Sequence, residues 1–359
     1  MQRDMHYFGV YALARAAGLN VETASTIATA SQYVDDAASN ESVTFLDASM
    51  LDVEATAHHM INVKNLDAHD QRRVWVPFHF YPGGQGNSFT EKLLCRKDSL
   101  IAQEMVQTNL QKAKKVNFGD ALIGVTAHVY ADTFAHYDFS GVSSRLNRAD
   151  GNSLVTYDLN DKTQEYVENK RDNFFNKNGI HGGLLANIKG FFGENLSGAL
   201  GHGSAATYPD RPYLTWSLEW EEPKGRTGRR NNSETFMEAC EKLHKLFTNY
   251  AEGNTSHETA RPFQDIKDAV QSVIDVQGGL EEREQAWKET MKSGRITQEE
   301  ENIPPYQGEK WHVDFSELCA EREGDKATEK HVVQFFQAAA FHRQTTLRDI
   351  LPKHGLIVG

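Results

Sequence analysis

Cysteine, proline and long apolar runs are scarce in this sequence, and their scarcity excludes several classes of protein. The 359 residues include only 3 cysteines and 9 prolines. Three cysteines, odd in number and far apart, favour buried reduced thiols over a disulfide framework or a CxxC metal site. A metal site in this chain would therefore use histidine and carboxylate ligands.

Membrane and export signals are also missing. No stretch approaches the roughly 20 apolar residues that a spanning helix requires, so we expect no transmembrane segment. Met1 is followed by Gln-Arg-Asp-Met-His, which lacks the basic-then-apolar pattern of a signal peptide. We therefore expect a cytoplasmic protein, or one exported by a signal-peptide-independent route.

Positive charge is in deficit. The chain has 50 Asp and Glu against 38 Lys and Arg, a formal net charge of −12. This excess repels a polyanion over most of the surface, so we expect no stable nucleic-acid partner. A cluster of divalent cations tolerates the same balance, because the cations reverse the sign of the field locally.

The spacing of apolar residues predicts an all-α fold. Helices are expected from about Asp4 to Asn40, interrupted by Gly18, then over Ser99–Lys115 and Phe118–Tyr137. Because Trp75–Asn87 is rich in proline and glycine, we expect it to form an irregular loop.

A change of composition near residue 225 predicts two parts. The first, residues 1–225, is a metal-binding catalytic core. The second, residues 226–359, is a helical C-terminal region that serves as a lid, an oligomer contact or a partner contact.

The most specific pattern lies within Gly124–Phe139. His128, Asp132 and His136 recur there every fourth residue in an otherwise apolar helix. Each step of four turns the side chain by only about 40°, so the three groups form one stripe. The alternative is a set of hydrogen-bonded core residues. Burying three such groups unpaired costs several kcal/mol, and a divalent metal satisfies all of them, so the triple favours a metal site.

Other histidines and aspartates in apolar or tight-turn contexts are candidate ligands. Each alone is more often a cap, a surface group or a satisfied core residue, whereas two or three shared metals explain them together. They are His6, Asp35, Asp36, His59, His79, His202 and Asp210.

In its order along the chain, this set resembles the superfamily of zinc-dependent phospholipases C and single-strand-specific zinc nucleases. The shared features are an early His, an Asp that ends an early helix, a His in a following loop, an H-x-x-x-D helix with a further His, and a later His with a carboxylate. The resemblance covers roughly residues 1–215. It implies a phospholipase C-like helical core with two or three zinc ions.

The resemblance also implies how the ligands divide among the zinc ions, two of which share Asp132. The sets are Asp35 or Asp36 with His79 or His59, His128 and Asp132; His136, His202 and Asp210; and His6 with Asp132.

Three features depart from the family pattern. Family enzymes use the amino group of the mature N-terminus as a ligand; here either Asp4 substitutes for it or the third site is absent. Asp132 and His136 are closer in sequence than usual. A glycine-rich loop, rather than one helical turn, separates His202 from Asp210.

The function implied is hydrolysis of phosphodiesters by metal-activated water, with Asp35, Asp36 and Asp132 as catalytic carboxylates and Asp4 as a further candidate to orient the water. Phospholipid is the expected substrate, with transient contact to the membrane surface, because the acidic chain disfavours nucleic acid. Aromatic residues around the site offer a pocket for an acyl chain or a choline-like headgroup. They are Phe78, Phe80, Tyr81, Tyr130, Phe134 and Tyr137.

Three alternatives remain open. The first is a zinc nuclease. The second is an HD-type phosphohydrolase built on His69 and Asp70. The third is a non-catalytic helical interaction protein with structural metal, whose coordination sphere would be closed rather than open to water.

Overall fold

A computed structural model of the chain describes residues 1–39, 42–58, 63–177, 200–222, 227–252, 259–318 and 324–358. The fold is mostly α-helical, which confirms the predicted all-α class. The helices are α1 (Val10–Ala16), α2 (Val21–Asp36), α3 (Ala68–Arg73), α4 (Trp75–Phe78), α5 (Phe89–Lys92), α6 (Leu100–Ala113), α7 (Gly119–Ala135), α8 (Asp161–Lys177), α9 (Asn232–Ala251), α10 (Phe263–Ile274), α11 (Leu280–Lys292), α12 (Gly308–Leu318), α13 (Gly324–Ala327), α14 (His331–Thr345) and α15 (Leu351–Lys353).

Two small antiparallel sheets accompany the helices. One pairs β1 (Val43–Thr44) with β2 (Met50–Leu51), and the other has the order β3 (Val155–Tyr157), β4 (Thr215–Glu219), β5 (Thr227–Asn231). The larger sheet packs into a separate hydrophobic cluster with Trp216 and Trp220 at its centre. Among the described residues, no helix combines the length and the apolar content needed to cross a bilayer.

Helix α7 is the centre of the fold. All of its residues except Asp120 are buried, because α2, α6, α9 and α14 pack around it. A helix that is apolar on every side is stable only in such a position. Gly124 lets α2 approach closely, since a β-carbon there would lie 2.4 Å from the Ile27 carbonyl oxygen.

The local predictions are largely confirmed. The predicted helices at Ser99–Lys115 and Phe118–Tyr137 are α6 and α7, and Gly18, with φ of 91°, follows α1. The prediction for Trp75–Phe78 was wrong, because these residues form a helical turn instead of an irregular loop. Pro77 is tolerated there because the first amides of a helix have no partner within the helix.

The C-terminal helices share the core of the N-terminal part. α9 and α14 both pack against α7, and their apolar residues join the same hydrophobic cluster. The predicted boundary near residue 225 falls at 223–226, outside the described residues, and stays a prediction.

Candidate metal centre

Eight of the predicted ligands come together in the described part of the chain. They form three groups in which the potential ligand atoms lie within 4.8 Å of one another. The groups are His6, Asp35 and His128; His79, His128 and Asp132; and His136, His202 and Asp210.

Asp132 connects these groups through its two carboxylate oxygens. Oδ1 lies 3.2 Å from Nε2 of His6. Oδ2 lies 3.3 Å from Nε2 of His128 and 3.5 Å from Nδ1 of His79. A carboxylate with each oxygen turned to different imidazoles has the arrangement of a bridging ligand.

His128 and His79 are each fixed by a backbone carbonyl. Nδ1 of His128 donates to the Ser31 carbonyl at 2.8 Å, and Nε2 of His79 donates to the Thr56 carbonyl at 2.8 Å. A carbonyl only accepts, so the proton is on that nitrogen and the lone pair is on the other. In both rings the lone pair therefore faces Asp132.

The same arrangement recurs at the other end of the site. Nδ1 of His136 donates to the His79 carbonyl at 2.8 Å, and Nδ1 of His202 donates to the Ala206 carbonyl at 2.7 Å. Their Nε2 atoms lie 3.0 and 3.6 Å from the carboxylate oxygens of Asp210. Metal-binding histidines typically donate their second ring nitrogen to a carbonyl or carboxylate in this way.

His6 is a buried imidazole whose ring nitrogens make no hydrogen bond within the described part of the chain. Nε2 lies 3.2 Å from Oδ1 of Asp132, and the ring stacks on His128 with centroids 3.9 Å apart. The residue lies in a π-helical turn, Asp4–Gly9, a geometry frequent at functional sites. Unsatisfied buried nitrogens are costly, and a metal ion beside Asp132 would satisfy one of them.

The α-amino group of Met1 also lies in the site. Its nitrogen is 2.6 Å from Oδ1 of Asp132 and 3.3 Å from Oδ1 of Asp210. Asp4, which was one of two alternatives for this position, is held by Arg283 at 2.6 Å, with both side chains buried. The structure thus does not bring Asp4 to the site, because its carboxylate is engaged with Arg283 and belongs to none of the three groups.

Of the two aspartates that end α2, the structure brings one to the site. Asp35 has Oδ1 at 3.8 Å from His79 and 3.9 Å from His128, and its side chain is 34% exposed. Asp36 is turned away and accepts a hydrogen bond from the Tyr306 hydroxyl. Asp36 is thus not brought to the group, either as a ligand or as a catalytic carboxylate. His59, the other alternative ligand, lies outside the described residues.

For four of the potential ligands the electrostatics favour the protonation state that metal binding needs, whereas burial raises the pKa of Asp35 above its usual value. Burial alone would raise the pKa of Asp132 and Asp210, but the surrounding imidazoles and the Met1 amino group outweigh it and hold both pKa values below the usual range. Burial lowers the pKa of His6 well below its usual value and that of His202 to about 4. Ionised carboxylates and neutral imidazoles are the forms that bind metal.

A cavity of about 160 Å³ opens on the site, lined by ligands together with Trp75 and Phe80. Phe80 stacks on His136 at 4.9 Å between centroids, and Trp75 lies 5.0 Å from the His79 ring. Of the six aromatic residues expected around a headgroup, Phe80 belongs to this lining. Sequence reasoning missed Trp75; its place four residues before His79 was the available signal, because helical residues four apart share a face.

The residues of the HD alternative lie elsewhere. His69 is exposed, and Asp70 contacts His58 and belongs to α3. Neither residue belongs to the three groups of potential ligands found in the described ranges. The geometry therefore gives the HD dyad no support as a metal site.

Fold and site together define a mainly α-helical protein with buried histidine and aspartate groups that could hold metal ions. The chain belongs to a family of unknown function, DUF6765, which it matches over residues 1–350. No curated protein and no protein of solved structure matches the chain. Its function must therefore be argued from the site.

Proposed function

We propose that the chain is a zinc-dependent phosphodiester hydrolase of the phospholipase C type. The observation that carries the proposal is the orientation of four imidazoles. Each of these rings donates a hydrogen bond from one nitrogen to a backbone carbonyl and turns its other nitrogen towards a buried carboxylate. The residues are His79, His128, His136 and His202. Histidines that are merely hydrogen-bonded in a core need not turn their free nitrogens towards one point. Metal ligands must, because their lone pairs bind the same ion.

The donor atoms suit zinc. Imidazole nitrogens and carboxylate oxygens in one site are typical zinc ligands, while magnesium and calcium prefer oxygen alone. The resemblance to zinc phospholipases C assigns two or three ions to the chain, with Asp132 shared. The ring nitrogens of His6, which make no hydrogen bond to any described residue, fit the set that contains His6, and the α-amino group of Met1 faces the same oxygen of Asp132 as Nε2 of His6 does.

Bound zinc would supply Lewis acidity, which polarises a phosphoryl oxygen and acidifies water. Asp35 is suited to work beside it. Its carboxylate lies at the edge of the cavity and is 34% exposed, so it can orient a water molecule and take its proton. Asp132 is buried against four imidazoles and has the role of a holding group.

A choline phospholipid is the substrate that we favour. Trp75 and Phe80 give the cavity an aromatic wall, and aromatic faces attract quaternary ammonium groups. The net charge of −12 disfavours a polyanion, so the contact with substrate would be a transient one with a membrane surface rather than with nucleic acid.

Metal analysis is the first test. Protein purified without chelator should contain two or more tightly held zinc ions per chain after gel filtration. A content below about one metal per chain would contradict the proposal, because structural and catalytic sites alike retain their zinc.

The second test separates the substrates. Zinc-loaded protein should release phosphocholine from mixed micelles faster than it degrades single-stranded DNA or RNA, at low and at moderate salt, because nucleic-acid binding weakens steeply with salt. Asp35→Asn should lower the rate and weaken at most the one zinc-binding step that Asp35 serves, while the other zinc stays bound. Rapid nuclease activity without lipid cleavage would favour the zinc nuclease, and full zinc content without turnover would favour a structural metal.

A further inference from the structure

One helix of the C-terminal region contacts both segments that hold His79. Helix α14 carries His342 and Arg343 side by side, and both are buried. His342 contacts the chain just before His79, and Arg343 contacts the chain just before the carbonyl that fixes the His79 ring. The sequence predicted a lid, an oligomer contact or a partner contact for this region, but no ligand or catalytic residue.

His342 fixes the backbone that leads into His79. Its Nδ1 lies 3.0 Å from Nδ2 of Asn109, an amide donor, so Nδ1 accepts and the proton is on Nε2. Nε2 donates to the Pro77 carbonyl at 2.8 Å. Pro77 lies near the end of the single turn α4, where backbone carbonyls have no amide partner within the helix. The hydrogen bond thus anchors the end of that turn, two residues before His79.

Arg343 supports the partner of the His79 ring. Its guanidinium forms an ion pair with Glu54, and the two side chains are only 10% and 8% exposed. Glu54 lies two residues before Thr56, whose carbonyl accepts the proton of His79 Nε2 at 2.8 Å. The same helix therefore holds the backbone of His79 on one side and its ring on the other.

We propose that His342 is a positioning residue for the ligand His79, with Arg343 as its counterpart at the ring. The inference rests on the proposed function, since it takes His79 as a zinc ligand. Groups that orient a ligand affect metal affinity selectively, and their loss typically costs about 10–100-fold. A residue that merely fills the core would change stability without singling out one metal ion.

The test compares three variants in zinc titrations against a competing chelator. His342→Phe keeps a ring of similar volume and removes the donor, and His342→Gln returns an N–H donor to the position. His244→Phe is the matched control, because buried His244 also bonds a backbone carbonyl, that of Arg261, at 2.9 Å. We expect His342→Phe to weaken one zinc-binding step about 10–100-fold, His342→Gln to recover most of the loss, and His244→Phe to leave every step unchanged.

A second readout needs no metal. In metal-free protein, nitrogen NMR should detect the His79 Nε2 proton bonded to Thr56 as slowly exchanging, and that proton should exchange faster in His342→Phe but not in His244→Phe. Unchanged zinc steps and unchanged exchange in His342→Phe, or equal losses in the control, would overturn the inference. If the unmodified protein binds no zinc, the proposed function fails, while the exchange measurement still decides whether His342 positions His79.

Discussion

Asp132 is the residue on which the proposed centre depends most, because its two carboxylate oxygens face different sets of potential ligands. Oδ1 approaches His6 and the Met1 amino group, whereas Oδ2 approaches His79 and His128. Three of the neighbouring imidazoles, those of His79, His128 and His136, are each held by a backbone carbonyl. Loss of the Asp132 charge would therefore affect more than one of the proposed metal ions.

Asp132→Asn should abolish hydrolysis and remove at least one zinc ion per chain. An amide keeps the shape of the side chain but offers one neutral oxygen in place of two charged ones. The positive charge of the zinc ions that the carboxylate bridged is then no longer compensated. We expect the zinc-loaded variant to lose about 1–4 kcal/mol in the free energy of unfolding, measured by denaturant titration. Asp268→Asn, at an exposed position of α10, is the control. Full activity and zinc content in Asp132→Asn would place the metal site elsewhere.

The buried imidazole of His342 predicts how the free energy of unfolding of the metal-free protein changes in acid. Burial lowers its pKa from 6.5 to about 4. Between these values the unfolded chain binds a proton that the folded chain does not, so stability is fully present above pH 6.5 and falls as the pH drops towards 4. One such group contributes a slope of up to about 1.4 kcal/mol per pH unit. His342→Gln should flatten the dependence in chelator-treated protein, and an unchanged slope would count against a buried neutral imidazole.

At the scale of elements, the helix stripe is the part of the site that the sequence made predictable. His128, Asp132 and His136 share a face because their spacing is that of the helix, and the periodicity that predicts α7 predicts their convergence. Loops obey no such period. The choice of Asp35 over Asp36 depends on Tyr306, some 270 positions along the chain, whose hydroxyl engages the second aspartate. Local pattern carries no information about that contact.

The close packing of α2 on α7 can be tested at Gly124. A β-carbon at Gly124 would lie 2.4 Å from the Ile27 carbonyl oxygen and 2.6 Å from the β-carbon of Ala30, both in α2. Gly124→Ala should therefore push the helices apart, cost about 1–3 kcal/mol and weaken the zinc site that uses Asp35. Gly228→Ala is the control, since its nearest neighbour is 3.5 Å away. Thermal unfolding and zinc titration of both variants test this; equal behaviour would contradict it.

For the whole molecule, the centre joins segments that are far apart in sequence. Potential ligands come from the first residues, the end of α2, the segment at His79, the α7 stripe and the segment at Asp210. Helix α14, in the C-terminal region, supports the segment at His79. Apart from the contacts between residues of the α7 stripe, these contacts close long loops of chain, so the ligands meet only in the folded state. The unfolded chain offers no comparable site, and the binding free energy of the proposed zinc ions would therefore add to the stability of the fold.

Removal of zinc should consequently lower the melting temperature of the whole protein. A ligand that binds the native state alone stabilises it by about 2.7 kcal/mol per site when its free concentration is 100 times the dissociation constant. We expect chelation to produce one cooperative transition at lower temperature, because α2 and α7, which carry ligands, pack in the same hydrophobic core as α9 and α14. Added zinc should restore the original melting temperature and added magnesium should not, since imidazole nitrogens suit zinc better. In Asp132→Asn the shift on chelation should shrink, because fewer ions are bound at the start. A melting temperature indifferent to chelation in the unmodified protein would mean that the eight ligands hold no ion, and that the buried carboxylates are balanced by the imidazoles and the Met1 amino group alone.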